Sequence, residues 1–380
     1  MLLFVGILFP AVLNYNSFKM RKHSIIMGIT CFVVSCSQGI EKREGAAITI
    51  PFEKISSCEY DYACLRDWEL SIIYFQSEES GIGRVAEIDK IREYNGDYYV
   101  LDRLQKVLIR YSSEGKPLNT IGQKGRGPEE YLSISDYSIN MLGQVVILDG
   151  QLDEIIVYGN DGSFVSRQKM EHDYGELFHL DNGEILLALN AWDDSKLSGS
   201  KVVLADATFK PHAIISSFNQ GYDINFVLPH IGFNDYSGIV SYVCPIDDNI
   251  YVFPREGGKN MSFLIDFGNE KVEDSQTINL EKSFPEIRRN KTLLLNATLI
   301  DDLIFIITVY EKGQWMDYYV DANNKRKLAL TPLGIRFLGG SGKSLYFEVT
   351  NPDLMYSSIH CSFDTVETSE KMVVSFSKKQ

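Results

Sequence analysis

The sequence predicts an all-β chain: a six-bladed β-propeller of four-stranded antiparallel blades, its ring closed by an N-terminal strand. Three observations carry that expectation. Six short apolar runs recur at nearly even spacing, a Gly/Asn/Asp turn stands just before each, and 21 Tyr, 21 Phe and 3 Trp lie scattered among Val, Ile and Leu. Aromatic and β-branched neighbours suit a pleated surface better than a helix. With 44% hydrophobic and 23% charged residues the chain can bury a core, and general disorder is excluded.

The runs are Tyr98–Asp102, Val145–Asp149, Ile185–Leu189, Ile250–Phe253, Ile304–Thr308 and Leu345–Val349. From 98 to 345 their five intervals average about 49 residues, the length of a four-stranded blade. The preceding turns are Asn95-Gly96-Asp97, Leu142-Gly143-Gln144, Asp181-Asn182-Gly183, Asp247-Asp248-Asn249, Asp301-Asp302 and Gly340-Ser341-Gly342. Gly, Asn and Asp tolerate the positive φ of a tight hairpin. Strand-like stretches such as Val85–Arg92 and Ser135–Asn140 come before the turns.

A third strand follows each run. It is clearest at Val107–Tyr111 and Ile155–Tyr158, each ahead of a second turn (Ser113–Lys116 and Asn160–Ser163). Phe267–Glu270 and Ala322–Lys325 are expected at the same place in later repeats. One such unit cannot bury both faces alone, but six around an axis can. No stretch of 10–15 residues shows helical apolar spacing, which argues against an α/β fold. Leu70–Gln76 reads as the strand that closes the ring against the last blade, and Lys371–Phe376 competes for that role.

At the N-terminus a basic stretch (Lys19, Arg21, Lys22) precedes an apolar run from Ile25 to Val34. That is the layout of an export signal, and the run is short for a membrane span. Its end, Val33-Val34-Ser35-Cys36, resembles a bacterial lipobox, which implies cleavage before Cys36 and acylation of its thiol. Residues 1–35 are therefore expected to be a signal peptide, with Met20 a plausible true start. Residues 36–47 form a lipidated tether, and residues 48–380 a single propeller domain. The expected location is the cell envelope, as an outer-membrane lipoprotein facing the periplasm or the outside. The lipid bilayer is a partner through acylated Cys36. Acyl chains anchor because each buried methylene contributes about 0.8 kcal/mol. Cys58 and Cys64 stand close enough to pair, and the envelope permits a disulfide.

The formal charge is −14; without residues 1–35, 34 bases face 51 acids. Such a surface repels polyphosphate, so nucleic acid is excluded as a partner.

The segment from Gly83 to about Arg167 contains IGRVAEIDKI (82–91), YYVLD (98–102), VLIRYSSEGK (107–116), IGQKGRGPEEY (121–131), VVILD (145–149) and IIVYGNDGSF (155–164). It resembles the six-bladed, NHL-related propeller lipoproteins abundant in Bacteroides and its relatives. Beyond about residue 190 the likeness rests on repeat spacing. The resemblance implies fold and location; most of that family has no assigned activity.

Links from a fourth strand to the next first strand, and from a second to a third, surround the mouth of a propeller's axial channel. The glycine-rich Gly122–Tyr131 is such a link. Its backbone amides, with Lys124 and Arg126, could hold an anion, and Glu129 and Tyr131 flank it. Alternatively it is a structural turn in which Glu129 or Glu130 caps backbone amides. It is no P-loop, lacking Gly-Lys-Ser/Thr.

Three other links are long: Asn190–Ser200 with Trp192 and Asp193, Ser216–Ile231 with Tyr222, and Val309–Met316 with Trp315. Aromatics beside Asp and Asn suit a sugar, or they pack their own loops. Asp102 and Asp149 recur after an apolar strand and are expected to cap the next link.

Signatures such as Gly-x-Ser-x-Gly and His-Glu-x-x-His are absent, and the five histidines after Cys36 show no metal-ligand spacing. No cofactor or metal is expected. His172 beside Asp173 is the histidine to inspect. The expected function is a ligand-binding or scaffold propeller for a glycan, peptide or protein partner. The alternative is a metal-dependent hydrolase, lactonase-like, with Glu, Asn and Asp converging on the axis.

Overall fold

The structure is a computed structural model that describes residues 40–42, 47–57, 68–77, 84–219, 221–224, 228, 230–359 and 371–379. The chain divides into two compact units, 1–39 and 40–380, and the described residues belong to the second. The expected signal, Cys36, the Cys58–Cys64 pair and His360 lie outside the described residues.

Six sheets form six blades, as the repeat predicts. Blade 1 consists of Lys90–Tyr94, Asp97–Asp102, Val107–Tyr111 and Pro117–Thr120, and blade 2 of Asp136–Ile139, Val145–Asp149, Glu154–Tyr158 and Phe164–Lys169. Blade 3 is built from Tyr174–His179, Ile185–Leu189, Ser200–Ala205 and Pro211–Ser217; blade 4 from Phe233–Tyr236, Ile239–Val243, Asn249–Pro254 and Met261–Asp266. Blade 5 contains Leu293–Asp301, Ile304–Glu311, Gln314–Asp321 and Arg326–Ala329. Within each blade, neighbouring strands pair antiparallel, so alternate side chains face the two adjacent blades.

Blade 6 joins both ends of the chain. Ile335–Ser341, Ser344–Val349 and Lys371–Lys378 are completed by Trp68–Phe75 as the fourth strand. The two competitors for ring closure thus pair with each other, in register from Lys371↔Phe75 to Lys378↔Trp68.

The segment before that strand straps the outside of the ring. Glu41–Lys42, Ile48–Pro51 and Ser56–Ser57 pair in parallel with the outermost strands of blades 3, 4 and 5. Glu41–Lys42 falls within the stretch expected to be tether, and the strap has no counterpart in the sequence reading. It covers three sheet edges that would otherwise present bare hydrogen-bonding groups.

Apolar side chains fill each gap between neighbouring blades. Tyr99, Leu101, Tyr137 and Ile147 pack between blades 1 and 2, Leu148, Leu177 and Leu187 between blades 2 and 3. Ile73, Val100 and Tyr346 close the gap between blades 6 and 1. Each fully buried aliphatic side chain contributes roughly 1.5–3 kcal/mol, so the ring coheres through six separate seams.

Four expectations are corrected. In blade 4, Ile250–Phe253 is the third strand, not the second. The tight turn is Ser237-Gly238, and Asp247-Asp248-Asn249 belongs to the second-to-third link. Phe267–Glu270 accordingly follows the fourth strand and is largely a 3-10 turn. Val309–Met316 is no long loop but a hairpin turning at Lys312-Gly313, with Tyr310 opposite Trp315. Helices also occur in the links: Asp274–Thr277 and Leu280–Asn290 between blades 4 and 5, and Pro352–Ile359 in blade 6. Asn279 caps the longest by accepting from the Lys282 amide at 3.0 Å.

Candidate functional site

The first strands line the axis with polar side chains, and the axis is filled. Near the mouth, Lys90 of blade 1 meets Asp136 of blade 2 at 2.5 Å, and the other Asp136 oxygen accepts from the Leu177 amide of blade 3. Burial lowers the Lys90 ammonium to about 8, against the pull of Asp136. Towards the far end, Arg92 reaches Asp235 at 2.7 Å, and Asp235 also takes Arg255 and the Gly342 amide. Carboxylates do converge here, but Lys90 and Arg92 hold Asp136 and Asp235. Among the described residues no three His, Cys, Asp or Glu side chains stand together as a metal site.

The open space lies above this plug. A cavity of about 720 Å³ occupies the mouth where links and strand ends of blades 1, 5 and 6 meet. That volume falls within the usual range for small-molecule sites. Trp315 stands on its rim with 49% of its surface exposed, packed edge-on against Tyr310. Leu295, Ile335 and Phe337 give it apolar wall.

Asn296 lies at its floor, only 1% exposed. Its Oδ1 accepts from Asn234 Nδ2 at 2.6 Å, while its own Nδ2 has no partner among the described residues. A buried amide left unpaired costs about 1–3 kcal/mol, so such a group marks a place where something polar belongs.

The blade 6 wall is charged. Glu348 accepts from Arg336 at 2.6 and 3.1 Å through one oxygen and from Lys371 at 2.9 Å through the other. Burial alone would raise its carboxyl; the hydrogen bonds from Arg336 and Lys371 hold it below the ordinary value. Across the cavity Asp317 accepts from the Thr308 hydroxyl and the Phe337 amide, and burial pushes its carboxyl up to about 6.

A smaller hollow of about 70 Å³ adjoins blades 3 and 4, lined by Trp192, Phe218, Tyr222 and Tyr242. His230 lines both spaces and stands 3.4 Å from the buried Glu176. Burial opposes charge on each, yet their mutual attraction wins. The imidazole is raised and the carboxyl lowered. Gly232 permits this approach, because a Cβ there would lie 1.6 Å from Glu176 Oε2.

The expected site residues therefore scatter. Trp315 lines the large cavity; Trp192 and Tyr222 line the small one; Asp193 is buried beneath its loop, accepting from the Asp173 amide and the Ser195 hydroxyl. Lys124, Arg126 and Glu129 are exposed on the link between blades 1 and 2 and line neither space. Tyr131 is a core residue at 1% exposure, set edge-on to Tyr158. Glu130 caps that link through the Gly127 amide at 2.6 Å, and its carboxylate fills the space where a Cβ on Gly125 would lie.

His172 binds Ser195 Oγ at 2.6 Å, but that hydroxyl donates to Asp193 at 2.6 Å. The serine proton thus points to the carboxylate, not the imidazole, which is the wrong arrangement for an activated nucleophile. Asn296, Arg336, Glu348, Asp317 and Lys371 were not foreseen. They come from five different strands of blades 5 and 6 and carry no local motif.

The family described as "Domain of unknown function (DUF4934)" matches residues 72–360. No curated protein matches the chain. Among solved structures, a Bacteroides fragilis protein whose name gives export as its inferred fate is 17% identical with a TM-score of 0.68, covering 88% of this chain and 100% of its own. A DUF4221-family member from Bacteroides vulgatus is 11% identical (TM-score 0.49, 83% and 99%). Virginiamycin B lyase from Staphylococcus aureus is 10% identical (TM-score 0.43, 82% and 99%). The first of these likenesses shows the fold.

Proposed function

This chain belongs to the DUF4934 family, and we propose that it is a non-enzymatic binding propeller of the cell envelope that takes a saccharide at the mouth of its ring. The observation that carries the reading is the mouth cavity itself. A half-exposed indole on the rim and an unpaired, buried amide donor on the floor face one space. Sugars present an apolar ring face to an aromatic and hydroxyls to amides and carboxylates, and this cavity offers both.

Anchoring through acylated Cys36 belongs to the same proposal, supported by the basic stretch, apolar run and lipobox-like end of the N-terminal sequence. Among the described residues no helix is long and apolar enough to cross a membrane.

A saccharide array read by thermal unfolding tests the proposal, since a ligand that binds only the folded state raises the midpoint by mass action. Saccharide hits are expected with the wild-type chain and not with Trp315→Ala. An array with peptide hits alone contradicts the reading. Loss of membrane association in Cys36→Ala tests the anchor separately.

A further inference from the structure

We infer that the saccharide is acidic, with a carboxylate read by Arg336 and Lys371; this rests on the saccharide reading above. Arg336 spends Nε and Nη2 on Glu348, and Nη2 also reaches the Ile88 carbonyl at 3.3 Å. Its Nη1 makes no hydrogen bond among the described residues. Lys371 directs one bond to Glu348 and an ammonium carries three donors. Two cations thus share the Glu348 carboxylate, with Asp317 the further acid near Arg336, and several of their N–H groups are left over at the cavity wall.

Arg103, on the blade 1 side, has its charge offset by Asp89. Its Nε donates to the Ser135 carbonyl, and its Nη1 is 3.9 Å from Asp89. Asn296 Nδ2 is a further unpaired donor at the floor. Most acceptors are already engaged: both oxygens of Glu348 and both of Asp317 take protein donors and Asp89 takes the Arg103 amide, while the exposed Glu87 carboxylate stands apart on the blade 1 side. The unspent hydrogen-bonding capacity is donor-heavy, so the matching ligand is rich in acceptors. A carboxylate on a ring of hydroxyl and ether oxygens meets that need. Charge-assisted bonds of guanidinium and ammonium to carboxylate are also the stronger kind.

The chain's net charge of −14 does not oppose this at contact. Exposed charges beyond a Debye length, about 8 Å at physiological ionic strength, are largely screened, so the local wall decides. Glu87 and Asp89, on the blade 1 side, confine the favourable end to blade 6.

The test is calorimetric titration of the full chain with α-1,4-linked trigalacturonate and with the neutral galactose trisaccharide of the same linkage. The acidic sugar is expected to bind about tenfold more tightly, the size of one charge-assisted hydrogen bond. The double variant Arg336→Gln/Lys371→Gln should lose that preference, the ratio of the two affinities falling to about one. Should the double variant unfold, as judged by its thermal midpoint, Lys371→Gln alone serves, with a smaller loss. Equal affinity of the wild type for both sugars overturns the acidic inference and leaves the saccharide reading standing. Binding of neither sugar, with binding of a peptide bearing a free C-terminal carboxylate, overturns both.

Discussion

Arg92, on the first strand of blade 1, forms an ion pair with Asp235, on the first strand of blade 4, at 2.7 Å. In a ring of six these blades stand opposite each other, so the pair spans the axis. Arg92 also donates to the Phe233 carbonyl and lies over the Phe178 ring, 4.6 Å from its centroid. The axis is held shut by chemistry rather than left as a pore.

Removing one member of that pair leaves the other buried and uncompensated. Asp235→Ala should lower stability by about 3–5 kcal/mol. The double variant Arg92→Met/Asp235→Leu should recover much of the loss, because a neutral, filled axis is often no worse than a paired one. Urea unfolding of the two single variants and the double variant measures this. A single-variant loss below about 1 kcal/mol would place the pair among weak surface bridges.

Asp102 and Asp149 each tie two mouth links together. Asp102 accepts from the amides of Ala86, Glu87 and Gln105; Asp149 accepts from those of Leu132, Ser133, Gln151 and Leu152. Burial opposes the Asp102 charge, but the bonds from Gln105, Ala86 and Glu87 lower its carboxyl below the ordinary value. A depressed folded value means the contribution is present above the unfolded pKa and fades as pH falls through the folded one. Asp102→Asn should therefore be less stable than wild type near neutrality, with the gap closing below about pH 4. Urea midpoints between pH 7 and pH 3 provide the check; a gap independent of pH would refute the assignment.

His179 is partly buried at blade 3, and desolvation with the nearby Arg92 charge lowers its imidazole to about 4. Its folded form resists protonation while the unfolded chain accepts a proton near pH 6.5, so stability falls as pH drops from 6.5 towards 4. The full loss is about 3 kcal/mol. His179→Phe should remove that part of the acid sensitivity, measured as the slope of unfolding free energy against pH. An unchanged slope contradicts it.

Ring closure makes a prediction about truncation. A chain starting at Trp68 keeps the fourth strand of blade 6 and loses only the strap, so it should fold with a lower midpoint. A chain starting at Gln76 leaves Lys371–Lys378 paired only to Ser344–Val349 and strips Ile73 and Phe75 from the seam between blades 6 and 1. It should lose cooperative unfolding. Calorimetric scans of both chains distinguish the cases, and equal behaviour would show that the closing strand is dispensable.

Much of this fold is legible because the repeat is written locally. Asn95-Gly96 precedes Asp97–Asp102 as a hairpin turn should, and Asp102 and Asp149 announce the caps they become. The sequence misleads where a local signal imitates another. Asp247-Asp248-Asn249 looks like a tight hairpin turn but forms a second-to-third link, whereas the real turn, Ser237-Gly238, sits between strands as polar as Phe233–Tyr236. The helix Leu280–Asn290 was hidden because only Leu280 and Ile287, seven residues apart, are buried in it. The mouth cavity was illegible for a different reason. Asn296, Trp315, Arg336 and Lys371 meet only when blades 5 and 6 are set side by side, and no spacing along the chain records that meeting.

Titrating a saccharide hit into wild type, Trp315→Ala and Leu142→Ala decides whether the ligand sits in the mouth cavity. Leu142 is exposed in a first-to-second turn, on the face opposite the mouth. Binding should persist in Leu142→Ala and fall at least about tenfold in Trp315→Ala, as expected for loss of a stacked ring. Undiminished binding by a folded Trp315→Ala protein would contradict the account.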